Sequence, residues 1–259
     1  MLKQSLVILT LNEVEGSKAL LPAIVNDLSD IEIIAVDGGS TDGTIEYLRD
    51  ELGIRVCGQT RPGRGEAFRV AINETGSDHL VFFSPDGNED PADIPRLFEA
   101  LEHGADMAIA SRFLPGARNE EDDDALPFRK WTNQAFTLMA NLVWNRGPKR
   151  ISDTINGFRG ITRAAFTYLN PTSLRFTIEY ELTIGALRSG MSIVEIPTNE
   201  TPRLAGETKG PSMSVGTDFL LFFLGQLKQD LFGRHRRQKI EWPPFKTKLE
   251  SGDAGGVSK

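Results

Sequence analysis

Five short apolar runs, at residues 6–9, 31–36, 54–57, 80–83 and 107–110, alternate with helix-like stretches at 13–28, 44–52, 66–73 and 94–102. Strands and helices alternating at this spacing imply βαβ units, and so an α/β fold with a Rossmann-like, open, twisted, mainly parallel sheet flanked by helices. With 259 residues and 39% hydrophobic content, the chain can bury one such core. The expected organisation is one domain over 1–212, an amphipathic helix with a basic end over 213–240, and a disordered polar tail over 241–259.

Polar motifs stand where three of these strands end. Thr10-Leu11-Asn12-Glu13 follows the first, Asp37-Gly38-Gly39-Ser40-Thr41-Asp42-Gly43-Thr44 the second, and Ser84-Pro85-Asp86-Gly87-Asn88-Glu89-Asp90-Pro91 the fourth. Ligands of open α/β sheets bind beyond the carboxyl ends of strands, so the three motifs outline one crevice. The first turn lacks G-x-G-x-x-G, which argues against a dinucleotide enzyme. Gly63-Arg64-Gly65 lacks the G-K-S or G-K-T ending of a P-loop and reads as a helix-start turn holding Arg61 and Arg64 near an anion. Asp86 and Asn88 suit a hard cation, which takes oxygen ligands and is commonly held by one or two carboxylates plus substrate phosphates. Asp86-Gly87 suits a plain turn equally well.

A net charge of -7 argues against broad nucleic-acid binding, because that mode needs many cations to neutralise phosphates. One cysteine, Cys57, excludes a disulfide framework and a multi-cysteine zinc site, and its apolar setting reads as a packed thiol. The acidic run Asn119-Glu120-Glu121-Asp122-Asp123-Asp124 repels itself and reads as a mobile, solvated loop, with a lid as the alternative. Helices are expected over 128–144 and 180–189, a strand over 193–196, and a polar loop over 197–211. Beyond 215, Phe219, Leu220, Phe222, Phe223, Leu227, Leu231 and Phe232 form an apolar helix face. Its unbroken apolar run falls short of the ~20 residues of a spanning helix. That helix, with Arg234, Arg236, Arg237 and Lys239 after it, suits an anionic lipid interface; packing on the domain or a homodimer contact is the alternative. The first apolar run is too short for a secretion signal, so a cytoplasmic chain is expected, peripheral at the inner face of the membrane if the interface holds.

Taken in order, the motifs resemble the GT-A glycosyltransferases of family 2, and most closely the branch of dolichol- and polyprenyl-phosphate mannosyl- and glucosyltransferases. Residues 6–13 are similar to that family's strand ending P-T-Y-N-E, 37–44 to V-D-D-G-S-T-D-G-T, 63–67 to G-K-G-x-A, and 84–88 to D-A-D-x-Q. Ala110-Ser111-Arg112-Phe113, Gly157-Phe158-Arg159, and Pro202-Arg203 with Gly206-Glu207-Thr208-Lys209 match its later stretches. Leu11, Gly38 and Ser84 depart from it, replacing a Tyr, an Asp and the first acid of the metal motif.

The resemblance implies inverting transfer of a hexose from a GDP- or UDP-hexose to a polyprenyl phosphate, with Mg²⁺ or Mn²⁺. It gives Asp86 and Asn88 to the metal, and Thr10, Asn12, Glu13 and Asp37 to the base pocket. Arg64 and Ser84 go to the donor, and Arg203 and Lys209 to its diphosphate. Arg112, Arg129 and Asn133 go to the acceptor phosphate, so Asp86, Arg112 and Arg129 carry catalysis. Asp153 is expected to be a structural acid bonded to the 157–159 turn. Two alternatives stand beside this reading: a family 2 transferase acting on a hydroxyl acceptor, and a nucleotide-sugar-binding module without turnover, suggested by Ser84.

Overall fold

A strand whose successive side chains are all apolar must be covered on both faces. β1 (Gln4–Thr10) carries such a run in its buried Leu6, Val7, Ile8 and Leu9, and it lies near the middle of a seven-stranded sheet. It pairs in parallel with β2 (Glu32–Asp37) and with β4 (His79–Phe83), while β2 pairs in parallel with β3 (Arg55–Gly58). β5 (Met107–Ser111) runs parallel to β7 (Ile193–Pro197), and β6 (Arg159–Thr162) lies antiparallel between β4 and β5. The order is therefore β3-β2-β1-β4-β6-β5-β7. The computed structural model describes residues 2–124, 126–204 and 212–232.

Side chains alternate across the sheet with the period of two that a strand imposes. Val7, Leu9, Ile34, Val36 and Phe82 face α3 (Arg64–Glu74), α6 (Arg163–Leu169) and α7 (Ile178–Ser189), where Phe68 stacks on Phe82. Leu6, Ile8, Ala35, Val81 and Phe83 face α1 (Val14–Asp27) and α4 (Asp93–Glu102). A third cluster joins α5 (Phe128–Trp144) to α7 and α8 (Ser212–Phe232) through Phe136, Trp144, Tyr180, Phe219 and Phe223. From β1 the chain winds outward through β2 to β3, then returns to the other side of β1 at β4. That reversal opens a crevice beyond the carboxyl ends of β1 and β4.

The structure alters or completes four of these readings. The helix over 44–52 is a short α-turn, α2 (Thr44–Glu46), continued by wider π-turns over Tyr47–Glu51. β6 and α6 were not anticipated, because Arg159 is fully buried where a charged residue argues against a strand. The acidic run is solvated only in its second half: Arg118 bridges to Asn199, Asn119 is buried and Glu120 and Glu121 are half-buried, while Asp122, Asp123 and Asp124 are exposed. α8 packs on the domain through Phe219 and Phe223, while Leu220, Leu221, Leu224, Leu231 and Phe232 stay exposed. The basic residues 234–239 and the tail over 241–259 lie outside the described residues. Among the described residues, no helix is long and apolar enough to cross a membrane.

Candidate active site

The ends of β1 and β2 are wired together by side chains. Buried Asp37 accepts from the Thr10 hydroxyl at 2.8 Å and from the backbone N–H groups of Gly39 and Ser40 at 2.8 and 2.7 Å. Asn12, with a left-handed φ of 54°, donates its N–H to Ser40 Oγ and accepts from Thr41 N–H through Oδ1. Glu13 is buried, and its N–H donates to Thr44 Oγ1 at 3.0 Å. These bonds hold the rim of a cleft of about 280 Å³ lined by Asp37, Gly38, Gly39, Ile45, Arg49 and Gln59.

At the end of β4 the chain turns at Ser84-Pro85-Asp86-Gly87-Asn88, and residues 201–204 lie across the turn. Thr201 N–H donates to Asn88 O and Leu204 N–H to Asp86 O, at 3.2 and 3.0 Å. That docking brings Arg203 to 3.0 Å from Asp86 Oδ2. Asp86 Oδ1 accepts from Asn88 N–H, and the Asn88 amide donates to Glu120 and to Thr201 O. Glu89 accepts from Ser84 N–H at 2.7 Å; burial, and then the nearby Asp86 carboxylate, push it up to about 8. Ser84 hydroxyl, Asp86 carboxylate and Asn88 carbonyl are donors of the kind a hard cation takes, and they fit a site completed by substrate phosphates. Among the described residues, no set of three His, Cys, Asp or Glu side chains is placed to hold a metal by itself.

Arg61 and Arg64 stand at the start of α3, and each pairs with a buried carboxylate of the protein itself. Arg61 pairs with Glu66 at 3.0 Å, and Arg64 pairs with buried Glu179 while reaching Ser84 Oγ at 3.4 Å. The glycines of Gly63-Arg64-Gly65 have a packing reason: a Cβ at either would meet the Leu174 or Ser173 carbonyl oxygen at 2.1 Å.

The third group of side chains joins the ends of β5 and β7 to the start of α5. Buried Asp153 grips Arg112 through Nε at 2.6 Å and Nη2 at 3.0 Å, and also accepts from the N–H groups of Ile155 and Asn156. Arg112 is thus its main partner, where the 157–159 turn was expected. Burial opposes charge on Asp153, but Arg112 and these bonds hold the carboxyl below its usual range. Arg112 also reaches Glu200 at 3.5 Å, and Glu200 accepts from the Asn119 amide at 2.9 Å. Arg129 pairs with Glu121 at 2.6 Å and with Glu120. Burial lowers the Arg129 guanidinium's pKa, and neighbouring Arg112 and Arg203 push the same way against Glu200. Asn133 lies one turn along α5 from Arg129, partly buried.

Three arginines, Arg112, Arg129 and Arg203, therefore converge beside Asp86 and Asn88 in a chain of net charge -7. The expected donor and acceptor residues form neighbouring parts of one crevice, with Arg64 beneath Ser84 as a paired, part-buried cation. Lys209 lies outside the described residues. Sequence reasoning missed the acids that hold these arginines: Glu120 and Glu121 in a run read as solvent-facing, Glu179 within a helix, and Glu200 in a polar loop. Only the like-charge density of the acidic run hinted that cations stood opposite.

The sequence model described as Glycosyl transferase family 2 matches residues 5–169. The chain is 28% identical over 204 residues to Glycosyltransferase AglJ of Haloferax volcanii, covering 76% of this chain and 62% of that protein. It thus spans less than two thirds of that relative. It is also 28% identical over 222 residues to the polyprenol monophosphomannose synthase of Mycolicibacterium smegmatis, covering 80% of this chain and 81% of that one. Among solved structures it is similar to glucosyl-3-phosphoglycerate synthase from Mycobacterium tuberculosis, crystallised with Mn²⁺, uridine diphosphate and phosphoglyceric acid. There the TM-score is 0.66 at 25% identity, covering 86% of this chain and 79% of that one.

Proposed function

The chain belongs to glycosyl transferase family 2, with the GT-A fold, and on that premise we propose that it transfers a hexose from a GDP- or UDP-hexose to a polyprenyl phosphate with inversion. One observation carries this reading: Arg112 and Arg129 stand together beside the Asp86 turn, where a second phosphate would meet the donor. Paired guanidinium bonds fix a phosphate's orientation as well as its charge.

The donor's nucleoside lies in the cleft beside Asp37, framed by Thr10, Asn12 and Glu13, and its diphosphate reaches Asp86 and Arg203. Asp86 and Asn88 would hold Mg²⁺ or Mn²⁺, which would supply positive charge to the leaving diphosphate. Arg203, with Lys209, adds fixed positive charge as the leaving group forms. The acceptor phosphate oxygen is already anionic at neutral pH, so it attacks the anomeric carbon without a strong base. As that C–O bond forms, the bond to the diphosphate oxygen breaks, and the nucleoside diphosphate leaves with the electron pair. Exposed Leu126, Phe128 and Trp131 at the start of α5 offer the lipid an apolar surface next to Arg129 and Asn133.

A second reading is supported by the phosphoglyceric acid named for the solved relative. A small phosphorylated acceptor would use the same arginines but attack through a hydroxyl, which needs a proton acceptor. Incubating purified protein with GDP- and UDP-hexoses and Mn²⁺, with polyprenyl phosphate, phosphoglycerate or neither, separates the readings. Nucleoside diphosphate release that depends on the lipid supports the first, release that depends on phosphoglycerate supports the second, and donor binding without release makes the chain a binding module.

A further inference from the structure

Glu120 stands between the two halves of the site. Its carboxylate accepts from Asn88 Nδ2 at 2.9 Å on the donor side and pairs with the Arg129 guanidinium on the acceptor side. The side chain is only 20% exposed. The loop carrying it is pinned at its root: Arg118 N–H donates to Thr198 O at 3.0 Å, Glu200 N–H donates to Arg118 O at 2.9 Å, and the Asn119 amide donates to Glu200. Side-chain rotation is therefore enough to move the carboxylate while the backbone stays.

A carboxylate and a phosphate present equivalent oxygens to a guanidinium, so both cannot take the same edge of Arg129 at once. We propose that Glu120 is a specificity-determining residue: it fills the place of the acceptor's phosphomonoester, and the incoming phosphate must displace it from Arg129. This rests on the reading that Arg129 holds the acceptor phosphate. The internal pair keeps the guanidinium oriented in the empty site, and it turns away anions that bind more weakly than the carboxylate does. Glu121 continues to hold Arg129 through Nε at 2.6 Å after the exchange, so the arginine stays in position.

The test is calorimetric binding of two probes, a short-chain prenyl phosphate and inorganic phosphate, to the full chain, E120Q, E120A and R129A. Removing one charged hydrogen bond that competes with the ligand is expected to tighten prenyl phosphate binding roughly tenfold in both Glu120 variants. Inorganic phosphate binding is expected to tighten as well. Unchanged or weaker prenyl phosphate binding in both variants, while R129A loses it, overturns the displacement and leaves the acceptor assignment standing. Equal binding by R129A and wild type overturns both. A gain for inorganic phosphate alone overturns the assignment to a substrate headgroup. Melting curves of each variant confirm that folded protein is being titrated.

Discussion

Gly157 is a glycine because the Arg64 guanidinium occupies the space a side chain would need: a Cβ there would lie 2.0 Å from Nη2. Gly157→Ala must therefore move Arg64 off Glu179, and overpacking of this kind costs about 1–3 kcal/mol. Urea denaturation is expected to show that loss for Gly157→Ala, whereas Gly58→Ala, where a Cβ meets nothing within 4 Å, changes stability by less than about 0.5 kcal/mol. At Asp86 the expectation is functional. Asp86→Ala removes the carboxylate of the metal motif and releases Arg203, so transfer and metal-dependent donor binding are lost together. Turnover like that of wild type would remove Asp86 from the mechanism. Asp86, Arg112 and Arg203 stood out as candidates because a motif carries each of them, and Arg129 only through the family resemblance. Glu120 and Glu200 were not legible as partners of Arg129 and Arg112, nor Glu179 as the partner of Arg64, since they meet the arginines only through tertiary packing.

Among the elements, six strands announced themselves as apolar runs because both faces of a parallel sheet are covered. β6 did not, as its first residue, Arg159, spends its donors on the Asn156, Glu179 and Thr154 carbonyls and on Thr183. The first half of the acidic run was misread for a related reason, while 122–124 are exposed as expected. Glu121, for example, accepts from Arg129 and from Lys130 N–H on α5, so charges that repel locally are neutralised by the start of the next helix. β4 carries a pH expectation at its other end. Burial holds the His79 imidazole below its usual 6.5, despite Asp78 and Glu102 pulling upward. The unfolded chain takes up a proton that the folded chain resists, so His79's contribution to stability is present above 6.5 and lost as pH falls below it. Stability measured between pH 7 and 5.5 is expected to decline less steeply in His79→Gln than in wild type; equal slopes would contradict the burial argument.

Among the described residues, most of the large exposed apolar side chains lie on α5 and α8, which pack together. Deleting α8 would strip Phe219 and Phe223 from Phe136, Trp144 and Tyr180, so truncation cannot separate a lipid contact from a packing defect. Replacing Leu220, Leu221, Leu224, Leu231 and Phe232 with serine leaves the packed face intact. If α8 rests on lipid, this variant is expected to keep its melting temperature and lose co-sedimentation with anionic vesicles. Vesicle binding equal to wild type would place the lipid contact elsewhere. The proposed transfer is defined by its product. Its most direct test is NMR of the lipid-soluble product formed from a nucleotide hexose and polyprenyl phosphate. Inverting transfer to a lipid phosphate yields a glycosyl phosphodiester whose anomeric configuration is opposite to that of the donor; a sugar joined to a hydroxyl, or a retained configuration, would contradict that reaction.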